Sequence, residues 1–468
     1  MSAFFSQIMK GSRIVWIIYG ILFILSCTVT FSAMSKLALD GTSVSAPFLR
    51  HVMFLFVGVA VILVIQIVDF RIIKPLSFAY LIFAVAILGY VSVTGGNVST
   101  GNASRFSAIG QPSEYVKFGL ILVLAEIIVF VKKQEVFPTR FFYITMLIIA
   151  GILLLIFLEN LSSAVIIASI VIVMLLFGGI GIWRVSKMVL IAGFFVTCII
   201  GFAYLFPENK YKVMVEDYPA LRFIDRAYTW KGRLDRHFNQ EEIGISDDHI
   251  LVTDKNRQEV YAKVAVCRGG WLPSGPGSSL QRNYLPEAFS DYVFAIAAEE
   301  GGFLLGLLIV IVYLTLFLVS LHYIIFKEQK SYRKLVLLGC AFSITFQAAV
   351  HIAVSVGAMP VTGQTLPLVS RGGASLVVVS AMFGMIIKIT AGQSEAKKNK
   401  HQVEPQPITA ENATNVPTEE DSTDIITEPI EKHLSDDELE IIINEPSASD
   451  DSQTNQTDDD DSIIIFEE

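Results

Sequence analysis

The chain has 468 residues, 53% of them hydrophobic, and a mean hydropathy of +0.58. Apolar runs of about 20 residues, the length that crosses a hydrocarbon core, recur along it and exclude a soluble enzyme. The net charge of −9 misdescribes the body of the chain: residues 401–468 hold 21 Asp/Glu against one Lys, a charge of −20 that leaves +11 on the other 400 residues.

In chain order the apolar runs predict ten spans, at 14–35, 49–69, 75–94, 114–132, 140–158, 161–181, 186–206, 301–325, 334–357 and 373–391. The first is too long for the apolar part of a cleaved signal, and Ser26-Cys27-Thr28 makes a poor cleavage site, so it is expected to be retained. Positive charge collects in alternate connections. Lys10 and Arg13 precede the first span, and Arg71 and Lys74 follow the second. Lys132, Lys133 and Arg140, then Arg184 and Lys187, then Lys327, Lys330, Arg333 and Lys334, and finally Lys397, Lys398 and Lys400 continue the pattern. Both termini are therefore expected on the cytoplasmic side and the long connection 207–290 outside. The expected fold class is an all-α polytopic membrane protein of about ten transmembrane helices. Residues 1–13 form a cytoplasmic N-terminus, and 14–392 a membrane domain with the large extracytoplasmic loop 207–290. Residues 393–468 form a disordered acidic tail, too poor in apolar surface to fold alone. Its two apolar islands, Leu439–Asn444 and Ile463–Phe466, read either as a docking motif for a cytoplasmic partner or as scraps guarded by charge.

Three constellations on the expected outer side, and the segment that opens the eighth span, carry possible chemistry. The first is Arg105 with Gln111-Pro-Ser-Glu114 and Lys117. Pro112 and Ser113 suit a helix start, which makes Glu114 and Lys117 i,i+3 neighbours just inside the membrane boundary. They read as a phosphate site or as a self-neutralising pair that reaches to the interface. The second is the outer loop, with Arg226, Trp230, Arg233 and Arg236, then Arg268-Gly-Gly-Trp271 and the glycine-rich turn at 275–279. It reads as a groove for a sugar-phosphate polymer or as a solvated loop. Leu285-Pro-Glu-Ala-Phe-Ser-Asp291 and Glu299-Glu300 then put carboxylates where an aqueous loop enters the membrane, an expensive placement that marks a functional site. The competing reading is that Asp291 simply caps a helix. The third constellation is Gln347, His351 and the segment 357–375, whose prolines and glycines predict a re-entrant turn. His351 reads more readily as a packed, hydrogen-bonded residue than as a ligand. No CxxC, HExxH or P-loop is present, and the four cysteines suggest no disulfide framework.

Taken together and in order, these motifs resemble the FtsW/RodA family, also called SEDS. Gln111-Pro-Ser-Glu114 with Lys117 matches the family's QPSE-x-x-K, Leu285-Pro-Glu-Ala with Asp291 its LPEAHTD, and Glu299-Glu300 its EELG. Pro360, Gly363, Leu366-Pro367, Ser370, Gly372-Gly373 and Ser375 match its last outer loop. The resemblance runs from about residue 12 to residue 392. It departs from the common pattern at Phe289 and Ser290 (often His and Thr), at Asn160 (often Asp), at His351 (often Asn) and at Arg371 (often Tyr).

The resemblance implies a peptidoglycan glycosyltransferase that polymerises lipid II into β-1,4 glycan strands. Asp291 would be the catalytic residue and general base, with Arg105, Gln111, Ser113, Glu114, Lys117, Glu287 and Ser370 around the substrate. A divalent cation (Mg or Mn) is compatible with diphosphate chemistry, although no ligand cluster specifies one. The expected partners are lipid II, a class B penicillin-binding transpeptidase and other membrane proteins of the division machinery, not nucleic acid. The expected place is the bacterial cytoplasmic membrane, at the septum, with the active site outside. Arg268-Gly-Gly-Trp271 and Leu-Pro-Glu-Ala lean toward the division (FtsW) type. A RodA-type elongation polymerase and a lipid II flippase are the alternatives.

Overall fold

The structure is a computed structural model and describes residues 12–34, 44–94, 111–134, 136–206, 225–238, 252, 256–285, 288–328 and 330–402. Among the described residues every regular element is helical. Each expected span falls on a helix: α1 (Arg13–Met34), α2 (Ser45–Ile67), α3 (Phe70–Thr94), α4 (Pro112–Lys133), α5 (Thr139–Glu159), α6 (Leu161–Phe177), α7 (Ile182–Leu205), and later α10 (Val293–Phe326), α11 (Ser331–Ser355) and α12 (Ala374–Gln402). Seven of these, α1, α2, α3, α5, α7, α10 and α11, are long and apolar enough to cross a membrane by length and composition. The other three differ for plain reasons. α4 carries Glu114, Lys117, Glu126, Lys132 and Lys133, α6 has only 17 residues, and α12 is apolar only over Ser375–Ala391.

Several expected boundaries move. The outer loop is not irregular throughout: it contains α8 (Asp225–Phe238), α9 (Arg257–Arg268) and a 3-10 turn at Gln281–Asn283. α10 begins at Val293, eight residues before the expected start at 301, and continues through a kink at Gly302 (φ 66°, ψ −172°). The run Val293–Ala298 is apolar and helix-forming, and a single left-handed glycine bends the helix without ending it. α12 runs ten residues beyond the expected end of the membrane domain at 392, because Ala, Gln, Glu and Lys favour helix and no proline follows until Pro405. The remainder of the acidic tail lies outside the described residues.

Close helix approach is bought with small residues, as expected where lipid offers no hydrophobic drive between helices. A Cβ at Gly58 of α2 would strike the Ser380 side chain of α12, and Tyr19 Oη lies 3.1 Å from Ser380 Oγ. Gly339 of α11 lets Ile121 of α4 and Met174 of α6 close in, with a Cβ there meeting them at 2.6 and 2.8 Å. One end of the bundle is cationic: Arg333 and Lys388 sit over Phe70, Lys74 over Tyr332, and Arg184 over Phe137. Glu126 pairs with Lys74 at 3.6 Å on that side.

Candidate active site

The opposite end holds the motif residues, and Asp291 sits there in a turn between the outer loop and α10. The N-cap of α10 is Tyr292, which makes no side-chain capping bond. The N–H of Phe294 in the first turn donates to Nε2 of His351 instead, at 3.4 Å. His351 Nδ1 then donates to the Gln364 carbonyl at 2.7 Å, an assignment that follows from the network. His351 is buried and committed on both nitrogens, so it organises the site rather than binding a ligand. Oδ1 of the half-buried Asp291 accepts from Ser290 Oγ at 3.0 Å.

The segment after α11 does re-enter the protein. Gly357, Gly363 and Gly373 have positive φ, and so does Leu368 (φ 67°), a buried non-glycine held in a left-handed conformation by its surroundings. Ser26 and Thr30 of α1 both donate to the Val369 carbonyl, at 3.2 and 2.9 Å. Next to it, Ser370 Oγ accepts from Leu366 N–H at 2.9 Å and donates to the Ser290 carbonyl at 2.7 Å. Arg371 N–H donates to the Phe289 carbonyl at 2.9 Å. Two consecutive residues of the re-entrant turn thus grip the two residues that precede Asp291.

A second polar cluster lies at the start of α4. Lys117 Nζ is 2.7 Å from Glu114 and donates to Gln347 Oε1 at 2.5 Å, with both charged side chains under 5% exposed. Gln347 donates onward to the Thr365 carbonyl at 3.1 Å. Gln111 and Gln364 both donate to Ser163 Oγ, at 3.0 and 3.1 Å. Asn160 caps α6 by accepting from the N–H groups of Ser162 and Ser163, so the amide that replaces the family's acid keeps a structural task. Ser113 Oγ is buried and has no hydrogen-bond partner among the described residues, and it borders a small void with Glu114, Lys117 and Ser163. The two clusters connect through α11: Gln347 serves Lys117 and, one turn later, His351 serves the start of α10.

Glu299 and Glu300 are buried and act on the outer loop, a role that sequence reasoning missed. Glu299 accepts from Ser279 Oγ and from the N–H groups of Leu280 and Gln281 at 3.1 and 3.3 Å, with Arg268 Nε 3.9 Å away. Glu300 accepts from Ser32 Oγ and lies 3.6 Å from Arg282. The kink at Gly302 also frees carbonyls, which the loop takes up. The Glu300 carbonyl accepts from Ser274 and Gly275, and Phe303 N–H donates to Gly270 O at 2.9 Å. Helix and loop therefore satisfy each other's orphan backbone groups.

Of the sequence-predicted site residues, Gln111, Ser113, Glu114 and Lys117 share one cluster, and Ser370 stands at the Asp291 turn. Arg105 and Glu287 lie outside the described residues. Among the described residues no group of three or more His, Cys, Asp or Glu could hold a metal ion. An apolar groove of about 340 Å3 runs between α1, the 273–276 turn and α10, lined by Val29, Pro273, Leu304 and Leu308 with Glu300 at its side.

A polytopic helical bundle with a carboxylate turn pinned by a re-entrant segment defines a class of membrane protein with polar chemistry at one face. The profile of the FtsW/RodA/SpoVE family, described as cell cycle proteins, matches residues 7–395, and the chain belongs to that family. It is 27% identical over 382 residues to the probable peptidoglycan glycosyltransferase FtsW of Bacillus subtilis, covering 80% of this chain and 89% of that one. It is 26% identical over 369 residues to the protein of the same name from Pseudomonas fluorescens, covering 77% and 83%. Among solved structures, a chain from work on polymerization and crosslinking by a peptidoglycan synthase complex shares the fold. Its TM-score is 0.55 at 20% identity, over 82% of this chain and 98% of that chain.

Proposed function

We propose that this protein is a peptidoglycan glycosyltransferase that polymerises lipid II into β-1,4 glycan strands for septal wall synthesis. The activity rests on family membership and on the names of its relatives. The observation that carries the site is the placement of Asp291: half-buried just before α10, and fixed through Phe289 and Ser290 by the re-entrant turn.

The reaction joins two lipid-borne sugars. The donor carries an α-linked undecaprenyl diphosphate, and the acceptor offers a 4-hydroxyl too weakly acidic to attack unaided. The Asp291 carboxylate accepts the hydroxyl proton as O4 forms its bond to the anomeric carbon. The bond from that carbon to the diphosphate oxygen breaks, and its electron pair leaves with undecaprenyl diphosphate. Attack opposite the leaving group inverts the centre and gives the β linkage. Such a base is typically worth about 10²–10⁴ in rate. The Gln111–Lys117 cluster would bind polar parts of the substrate together with Arg105 and Glu287, and the apolar groove suits a stretch of polyprenyl chain. Lys117 is already neutralised by Glu114 in its closed position, so it would meet diphosphate only by exchanging partners.

The same reading assigns the site to the outer face of the cytoplasmic membrane, with both termini inside and a class B penicillin-binding transpeptidase as partner. A transport pathway is less well supported. Glu126 is paired toward the cationic end, and Glu159 sits at the last position of α5, bonded to Ser92, so neither forms a mid-membrane relay.

The test is polymerisation of lipid II by the full-length protein with its cognate transpeptidase, under a moenomycin-type inhibitor that silences unrelated glycosyltransferases. Strands should form with the parent and vanish with Asp291→Asn at an unchanged melting temperature. Parental turnover by Asp291→Asn would remove Asp291 from the mechanism, and no strands from a folded parent complex would remove the activity.

A further inference from the structure

The end of the bundle away from Asp291 carries positive charge that its own acids do not fully take up. Lys74 is answered by Glu126 at 3.6 Å. Arg333, the third residue of α11, and Lys388 of α12 are not matched in this way. Both lie over one ring, that of Phe70 at the start of α3. The Arg333 guanidinium carbon is 4.6 Å from its centroid and Lys388 Nζ 5.4 Å. Lys388 Nζ donates to the Gln66 carbonyl at 3.1 Å. Asp69 attracts that ammonium and Arg333 repels it. The half-buried Arg333 guanidinium makes no hydrogen bond and no ion pair among the described residues. Contact with the ring favours each cation but leaves the repulsion between them, which an anion would relieve.

The frame around the two cations is fixed. Gln66 Nε2 donates to the Gly384 carbonyl at 2.9 Å while its own carbonyl takes Lys388, so α2 and α12 are tied in both directions. A Cβ at Gly384 would meet Ile62 Cα at 3.3 Å, so the two helices touch there. Depth then decides the kind of anion. Lys388 falls near the end of the apolar stretch Ser375–Ala391 of α12, where hydrocarbon gives way to headgroups. Ile67 and Ile72, on either side of Phe70 in the chain, are 66% and 56% exposed, and in a bilayer they meet acyl chains. A soluble anion has no use for those side chains. A lipid serves both, with a phosphate for the cations and a chain for the isoleucines.

We infer that Arg333 and Lys388, gathered on Phe70, form a binding site for the phosphate headgroup of an anionic phospholipid. Basic pockets between membrane helices hold such headgroups. The planar guanidinium can engage two phosphate oxygens at once, and the Lys388 ammonium supplies a second charge. The site lies at the other end of the bundle from Asp291 and does not depend on the polymerase reading.

Native mass spectrometry of the full-length protein in detergent, titrated with phosphatidylglycerol, tests this. Phosphatidylcholine is the zwitterionic control and inorganic phosphate the soluble competitor. The parent should hold its first phosphatidylglycerol more tightly than phosphatidylcholine. Arg333→Gln should weaken that binding about fivefold, roughly the worth of one basic residue at a charged membrane surface, and leave phosphatidylcholine unchanged. Arg333→Gln with Lys388→Gln should abolish the preference. Because the Arg333 guanidinium bonds to nothing described, Arg333→Gln should keep the parental melting temperature in lipid-free detergent, so its lost binding is not lost folding. Parental phosphatidylglycerol affinity in Arg333→Gln overturns the inference. So does equal binding of the two lipids by the parent. Displacement of phosphatidylglycerol by millimolar inorganic phosphate would mark a site for soluble anions and also overturns it. Strand synthesis is not the readout. A folded protein that selects the anionic lipid through Arg333 but makes no strands would sink the polymerase reading and leave the lipid site standing.

Discussion

At Asp291 a carboxylate and a helix start compete for the same explanation. His351 takes the Phe294 N–H, one of the first-turn donors that a capping side chain would serve. At Glu114 and Lys117 the opposite holds: each charge is spent on the other. Removing one partner of such a buried pair strands the other and costs about 3–5 kcal/mol. Lys117→Met alone should therefore lower the melting temperature in detergent sharply. Glu114→Gln with Lys117→Met should recover most of the loss, because nothing charged is left unpaired, yet it should remain inactive. A double variant no more stable than the single one would show that the pair is not coupled as drawn. Glu299 belongs to a third type, a carboxylate that serves backbone N–H groups. Glu299→Ala orphans the amides of Leu280 and Gln281 and the Ser279 hydroxyl, at about 1–3 kcal/mol for each buried group left unmade. Hydrogen exchange over 274–285 should accelerate in that variant, and unchanged protection would refute the clasp.

Among elements, the helix–helix contact of α2 with α12 is the clearest case of opposed effects. Gly58→Ala gains about 1 kcal/mol of helix propensity but forces its methyl into Ser380, and overpacking costs about 1–3 kcal/mol. The strain should win, giving a less stable protein. Ser380→Gly should rescue it by vacating the space, at the expense of the Tyr19 hydrogen bond. Thermal unfolding of the single and double variants checks this, and a double variant no more stable than Gly58→Ala alone would show that the clash lies elsewhere. The spans were legible because a run of apolar residues has one physical meaning at membrane length. The start of α10 was not, because Ser290–Glu300 mixes apolar residues with three carboxylates, which reads as loop edge until Glu299 and Glu300 are seen to point at the loop. α8 was hidden for a similar reason: Asp225–Phe238 is mostly polar and lies inside a long connection. His351 was legible as a packed histidine from its apolar helix, but its partner Gln364 sits 13 residues away on a turn whose path no periodicity predicts. The contact of Phe289 with Arg371 was visible only as two separate departures, since 82 positions divide them in the chain.

For the whole molecule, the charge asymmetry of the connections predicts the orientation, and the orientation decides which compartment Asp291 meets. The cationic contacts at Phe70, Tyr332 and Phe137 gather at one end of the helices, and the Asp291 turn lies at the other. Positive charge is retained on the cytoplasmic side. α9 in the outer loop then carries a natural reporter, Cys267, which is exposed, whereas Cys340 is buried in α11. A membrane-impermeant maleimide applied to intact spheroplasts should label the protein at Cys267, and Cys267→Ser should lose that label. Cys340 should react only after denaturation. Labelling of Cys267 that appeared only once the membrane was permeabilised would invert the topology and put Asp291 on the inner face. The carboxylate would then face the compartment in which lipid-linked sugars are made rather than the one in which they are joined. Glycan synthesis at that turn would no longer be tenable, whatever the geometry around it.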